Sequence, residues 1–412
     1  MSLFSAPVKR ALLIFLFALP LLSGVVGKIS KSNAWFGDYR AVACGAQKII
    51  DGGALYDMNL KCEDMDGTTA VYVYLPVVAE AFAAVVRVIG QDGLFVLYTG
   101  LYVLSLAVLF WGTYCVLPGT KEDSTETESV APTLMQKLPF AAFLTGSAIV
   151  WGNIAVLGHA AVLASAMTAR RFPWLFVAVV ALCGVVKPVF LTYLAVVLFL
   201  DFSVWKRLGL FIAGAVAGVL PTVLFAAEHS PLSEQWRQTL SYFVYSLTPG
   251  ESFYGWLSLV GIRADSSIAS IGWLVFAGLM TLSGLAIAEG LRLSSRARIW
   301  LGLSLGVLMI PRLMSQDVFL IGVGLVYAAL HARDLSAPSK PLMVFKDRGL
   351  TILTVLCLLC LIGGAAELGD YTTRLATLGL SLYVLTLGVL TFAQRRDIVL
   401  SALLPRLKTS PQ

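Results

Sequence analysis

The sequence predicts an all-α, polytopic membrane protein of about twelve transmembrane helices, and three observations lead there. Of its 412 residues, 58% are hydrophobic and only 13% are charged, against about 25% charged in ordinary globular chains. Apolar runs long enough to form helices recur from one end to the other. Lys and Arg gather at the ends of those runs, where they anchor helices and set topology. This composition excludes a water-soluble enzyme on a Rossmann or barrel scaffold, and it excludes a disordered chain. The net charge of +6 forms no continuous basic face, so no nucleic-acid partner is expected.

A helix needs about 20 residues to cross the hydrocarbon core. Apolar stretches fall at roughly 9–28, 72–90, 94–117, 138–151, 153–169, 172–186, 188–203, 208–227, 270–290, 298–311, 313–331, 349–367 and 371–393. The first reads as a retained span, not a signal peptide, because Lys28 and Lys31 follow it without a small-x-small cleavage pattern. Basic clusters at Lys9/Arg10, Arg170/Arg171, Lys206/Arg207, Arg292/Arg296/Arg298, Arg333–Arg348 and Arg395–Lys408 can all be cytoplasmic. One stretch before Arg170, either 72–90 or 138–151, must then fail to cross. The segments 29–71 and 228–269 become the two large outer loops of a single integral domain, 1–412. Several stretches are short and broken by Gly, Pro or a charge, which suits helices lining a cavity.

Five places carry candidate chemistry. Asp38 follows the first span, and Tyr39, Val42, Ala43, Ala46, Ile49 and Ile50 after it repeat at helical spacing, as in an interfacial helix that Gly52-Gly53 stops and onto which Leu55-Tyr56 packs back. Asp38 reads either as the cap of that helix or as a general base at a lipid–water boundary. Trp151-Gly152-Asn153 with His159 offers close approach and paired donor and acceptor groups. Lys187-Pro188 places a cation between two short apolar stretches, where it must reach water, an acid or an anion. Pro311-Arg312 and Asp317 break a long apolar region, and Arg matches phosphate well. With Arg40, these cations can converge on Asp38, and Glu80 and Glu367 are further acids. The outer loop 228–269 is rich in aromatics, which serve as an interfacial belt, a sugar-stacking surface or a lid. The segment 118–137 reads as a linker.

Cys44 and Cys62 share the first outer loop and can form a disulfide. Cys357 and Cys360 sit in an apolar run and read as packing residues. No metal-ligand spacing is present, and neither a metal nor a cofactor is expected.

The order Asp38, Gly52/Gly53, Leu55-Tyr56, Tyr72-Val73-Tyr74-Leu75-Pro76, Gly152-Asn153, Lys187-Pro188 and Pro311-Arg312 with Asp317 resembles the polyprenyl-phosphate-sugar-dependent glycosyltransferases of the GT-C superfamily. The resemblance is to the bacterial branch with the alpha-1,2-mannosyltransferase of phosphatidylinositol mannosides. It covers roughly residues 10–330, lacks the Gln of the family's Gly-Gln-x-Asn-like element, and has no His at the Pro311-Arg312 element, where many members carry a Trp/His pair.

The resemblance implies a GT-C-like bundle in the bacterial inner membrane with a periplasm-facing site. It implies inverting transfer of a sugar, mannose or another hexose, from a polyprenyl-phosphate carrier to a lipid or glycan hydroxyl. Asp38 would be the base, Lys187, Arg312 and Arg40 would hold the donor phosphate, and Tyr74, Asn153, His159, Asp317 and Glu80 would position substrate. The expected partners are that donor, the acceptor and membrane lipids, and the chain is expected to act as a monomer. A transporter or flippase of a lipid-linked saccharide, or a polysaccharide polymerase or ligase, is the alternative.

Overall fold

Helix starts follow the capping chemistry written in the sequence. Asn153, Ser203, Ser230, Ser266 and Ser294 each precede a helix and accept a hydrogen bond from one of its first amides, satisfying a donor that the helix itself leaves orphaned. Pro76, Pro173, Pro188 and Pro231 occupy first turns, where the missing N–H costs nothing. Gly52, at φ 67°, ends the helix after Asp38.

The computed structural model describes residues 36–56, 71–115, 151–247, 249–336, 348–357 and 369–403, with isolated positions besides. Almost all of the expected first span at 9–28, the stretch 138–151 up to residue 150, the linker 118–137, Cys62, Cys360 and Glu367 lie outside the described residues. The helices are α1 (Gly37–Asp51), α2 (Pro76–Phe110), α3 (Ile154–Ala166), α4 (Pro173–Val186), α5 (Ala195–Phe199), α6 (Val204–Ala227), α7 (Pro231–Thr239), α8 (Phe253–Leu259), α9 (Ser267–Gly290), α10 (Ser295–Leu308), α11 (Ile321–His331), α12 (Arg348–Cys357) and α13 (Gly369–Leu403). Two 3-10 segments, Pro188–Leu194 and Ser315–Leu320, lead into α5 and α11.

Among the described residues, four helical stretches are long and apolar enough to cross a membrane: Pro76–Thr113, Val204–Ala227, Ser267–Gly290 and Tyr371–Leu403. The chain thus has the character of a multi-pass membrane protein, but the expected GT-C-like bundle of about twelve transmembrane helices is corrected by this finding. The apolar stretches are of two kinds. The long helices leave large apolar side chains exposed, such as Val88, Val96, Val216, Leu224, Ile268, Leu274 and Val389. Two of the short ones are enclosed by protein, since every residue from 297 to 308 in α10 and from 321 to 330 in α11 is buried, whereas α4 still exposes Leu175 and Leu182. A helix that is apolar all round is equally at home in a protein core or in lipid, so composition alone counts both as spans. The expected pair 72–90 and 94–117 is one helix, α2, kinked at Gly90.

The basic clusters also divide. Arg207 and Arg298 are buried and share Glu289: Arg207 Nη1 donates to Oε1 at 2.8 Å and Arg298 Nη2 to Oε2 at 2.8 Å. Arg298 also meets Asp201 at 3.1 Å. These two arginines knit α6, α9 and α10 together where surface anchors were expected.

Candidate active site

Two helix starts meet at Asp38. It lies in the first turn of α1, beyond the cap position, which Phe36 holds. Its backbone N–H donates to the Trp151 carbonyl at 3.0 Å, and its Oδ2 accepts from Asn153 Nδ2 at 2.7 Å. Asn153 caps α3, its Oδ1 accepting from Ala155 N–H at 2.9 Å. That second bond fixes which end of the amide is the acceptor and so turns the NH2 group toward Asp38. The approach depends on Gly152: its φ is 66°, and a Cβ there would stand 2.6 Å from the Phe36 ring. Tyr98 locks the turn by donating to the Gly152 carbonyl at 2.7 Å. A carboxylate in a first turn also feels the positive end of the helix dipole, which favours its ionised form.

Tyr74 is buried beside this carboxylate. Burial, then the charges of Asp38 and Asp317, push its hydroxyl well above the ordinary tyrosine range, while Arg312 opposes them. One phenol therefore feels both acids and the arginine. Its backbone is pinned: the Tyr74 carbonyl accepts from Tyr56 OH at 2.7 Å and the Val73 carbonyl from Trp236 Nε1 at 3.1 Å.

Arg312 is half-buried in the turn after α10. Burial draws its pKa below the usual guanidinium value, and Asp317, Tyr245, Tyr74 and Asp38 act the other way. The group remains a cation. The turn is clamped by Ser252, whose hydroxyl donates to the Ile310 and Pro311 carbonyls at 2.6 and 2.9 Å and accepts from Leu313 N–H at 2.9 Å. Gly250, at φ 84°, lies so close that a Cβ would sit 2.7 Å from the Leu313 carbonyl oxygen.

Asp317 is 1% exposed. Its Oδ1 meets His159 Nε2 at 3.0 Å and Lys187 Nζ at 3.8 Å, and its Oδ2 accepts from Met314 N–H at 3.1 Å. Burial favours its neutral form, but Lys187, His159 and the Met314 amide outweigh this and hold the carboxyl below its ordinary value. His159 is fully buried, and that burial lowers its pKa despite the pull of Asp317. A neutral ring beside a carboxylate must carry its proton on Nε2, so Nδ1 accepts from Tyr193 OH, 2.7 Å away. The result is a chain from Tyr193 through His159 to Asp317, with the half-buried Lys187 at its end.

The structure thus brings Asp38, Asn153, Tyr74, Arg312, Asp317, Lys187 and His159 into one connected region. Arg40 is half-buried on α1, two residues from Asp38. Glu80 is exposed on α2, and its charge reaches Tyr72. Cys44 is disulfide-bonded, while its expected partner Cys62 lies outside the described residues. The aromatic segment 228–269 holds α7, a π-helical turn over Leu240–Leu247 and α8. Trp256 is tied to the Arg374 carbonyl at 3.0 Å.

Tyr193 and Ser252 were not legible as site residues. Tyr193 has one signal, its place six residues beyond Lys187 in a segment that Pro188 turns away from α-helix.

No family model, curated protein or solved structure matches the chain. With four candidate spans among the described residues, the expected twelve-span architecture is gone. The reading built on it, inverting sugar transfer from a polyprenyl carrier at a periplasmic face, falls with it, and so do the transporter and polymerase alternatives. The glycosyltransferase and GT-C descriptions find no support in these comparisons.

Proposed function

We propose that the protein is a membrane enzyme that binds a phosphate-bearing substrate and takes a proton from a hydroxyl group at Asp38. The observation that carries this reading is the Asp38 carboxylate, held by Asn153 Nδ2 at 2.7 Å near the buried Tyr74, on which the charges of Asp38, Asp317 and Arg312 all act. Asp38 is oriented by Asn153 at 2.7 Å, and its carboxylate accepts the proton. As the hydroxyl oxygen attacks, the bond to the phosphate-bearing leaving group breaks and its electron pair departs with the phosphate. Arg312, with Lys187 behind it on Asp317, offsets that growing negative charge. Tyr74, kept protonated, donates a hydrogen bond to substrate oxygen.

The disulfide at Cys44 supports placing this end of the molecule on the oxidising side of its membrane.

The test is to reconstitute the full chain in nanodiscs with a panel of phosphate-bearing lipids and hydroxyl acceptors, and to follow product by mass spectrometry. Arg312→Gln should raise the donor concentration needed for half-maximal rate by at least about tenfold, the loss of one charge-assisted bond. A variant with unchanged donor dependence would remove Arg312 from the reading.

A further inference from the structure

At the opposite end of α10 from Arg312, the molecule carries a rim of exposed cations and aromatics that no part of the proposed reaction uses. Val177 and Ala181 of α4 lie against Gly214 and Gly218 of α6, so these helices run parallel and begin at the same end. Arg170, Arg171, Phe172 and Trp174 stand at the start of α4, and Trp205 and Lys206 at the start of α6, all exposed. The Arg171 guanidinium lies 5.1 Å from the Phe172 ring centroid, and Lys206 Nζ lies 3.9 Å from that of Phe202. A shallow surface hollow runs over Arg171, Phe172, Pro173, Trp174 and Leu175.

Three membrane-crossing candidates meet at this rim. α6 begins there. α9 ends there, since Glu289 binds Arg207. α13 passes it, since Arg395 donates to the Gly290 carbonyl at 2.9 Å.

The acids of this end are largely spent. Glu289 lies between Arg207 and Arg298, and Asp201 is held by Arg298 and Ser295. Asp397 is exposed, next to Arg396. The outward charge is therefore positive, and Trp174 and Trp205 are 61% and 76% exposed, as indoles are at a headgroup layer.

We propose that this rim is a docking surface for the headgroups of anionic phospholipids, with Arg170, Arg171 and Lys206 facing the lipid phosphate and Trp174 and Trp205 in the ester region. Cations near an anionic leaflet are attracted to it, and stacking on Phe172 and Phe202 holds two of them in place while leaving their outer N–H groups to the lipid. This surface is separate from the Asp38 region, and its occupancy does not depend on the proposed reaction.

The experiment is native mass spectrometry of the full chain from micelles holding equal phosphatidylglycerol and phosphatidylcholine. The wild type should retain phosphatidylglycerol in preference, and the preference should shrink as ionic strength rises. The variant R170Q/R171Q/K206Q should retain at least about tenfold less phosphatidylglycerol, with phosphatidylcholine retention unchanged. The charge-conserving variant R171K/K206R should behave as wild type. Equal retention of the two lipids by the wild type would overturn the proposal whatever the variants do. So would displacement of phosphatidylglycerol by soluble glycerol phosphate at equal concentration, because the surface would then read free phosphate.

Discussion

Asn153 joins two jobs in one side chain: its Oδ1 caps α3 through Ala155 N–H at 2.9 Å, and its Nδ2 holds the Asp38 carboxylate at 2.7 Å. The stability of one helix start and the aim of the candidate base are therefore coupled. Asn153→Ala removes both. It should cost about 1 kcal/mol of stability from the cap alone, seen as a lower Tm in nanodiscs, and turnover should fall further than that loss of folded protein explains. Asn153→Ser, which caps but cannot reach Asp38 with an amide, should recover the Tm and not the turnover.

The clamp on the Pro311-Arg312 turn gives a second outcome. Ser252→Ala leaves the buried Ile310 carbonyl and the Leu313 N–H without the hydroxyl that joins them, while the Pro311 carbonyl keeps the Tyr254 N–H. An unsatisfied buried group costs roughly 1–3 kcal/mol, so Tm should drop. Donor binding by the folded fraction, measured by titration, should weaken because Arg312 loses its support.

The His159–Asp317 pair sets a pH dependence. Both groups have folded pKa values below their ordinary ones. For each, the stabilising contribution is complete above the unfolded value and is lost as pH falls through the folded one. Reference values near 6.5 for His and 3.9 for Asp place the onset on the acid side of neutrality, with His159 first and Asp317 below it. The Tm of the wild type should fall as pH is lowered from about 6.5, and His159→Gln should flatten the upper part of that fall. A Tm rising toward acid would contradict the assigned states.

Far from this region, Glu289→Gln withdraws the negative charge that Arg207 and Arg298 share. Breaking a buried pair costs about 3–5 kcal/mol, so the variant should be strongly destabilised. Turnover per folded molecule should be unchanged, since Glu289 stands at the opposite end of α10 from Arg312.

Much of the local structure is legible in the sequence because its causes are local. Gly52 ends α1, serines and prolines mark helix starts, and Leu55 and Tyr56 are buried against Tyr72 and Tyr74. Asp38, Lys187, Arg312 and Asp317 are visible as polar residues where apolar ones dominate. What local pattern does not hold is partnership. Nothing near Arg298 tells that it closes on Glu289 instead of solvent. Nothing near Trp300 tells that α10 is walled by protein and not lipid. That second ambiguity produced the excess of expected spans. Ser252 is one serine among many until Arg312's turn folds onto it.

The central claim is that Asp38 removes a proton and does not merely brace α1 against α3. The direct measurement sets binding against turnover in Asp38→Asn, whose amide preserves the shape of the side chain. Donor affinity should stay within about threefold of wild type while turnover falls on the order of 10²–10⁴-fold, the usual scale for a general base. Turnover preserved in a folded Asp38→Asn protein would contradict the account, and loss of donor binding and turnover in equal measure would return Asp38 to a structural role.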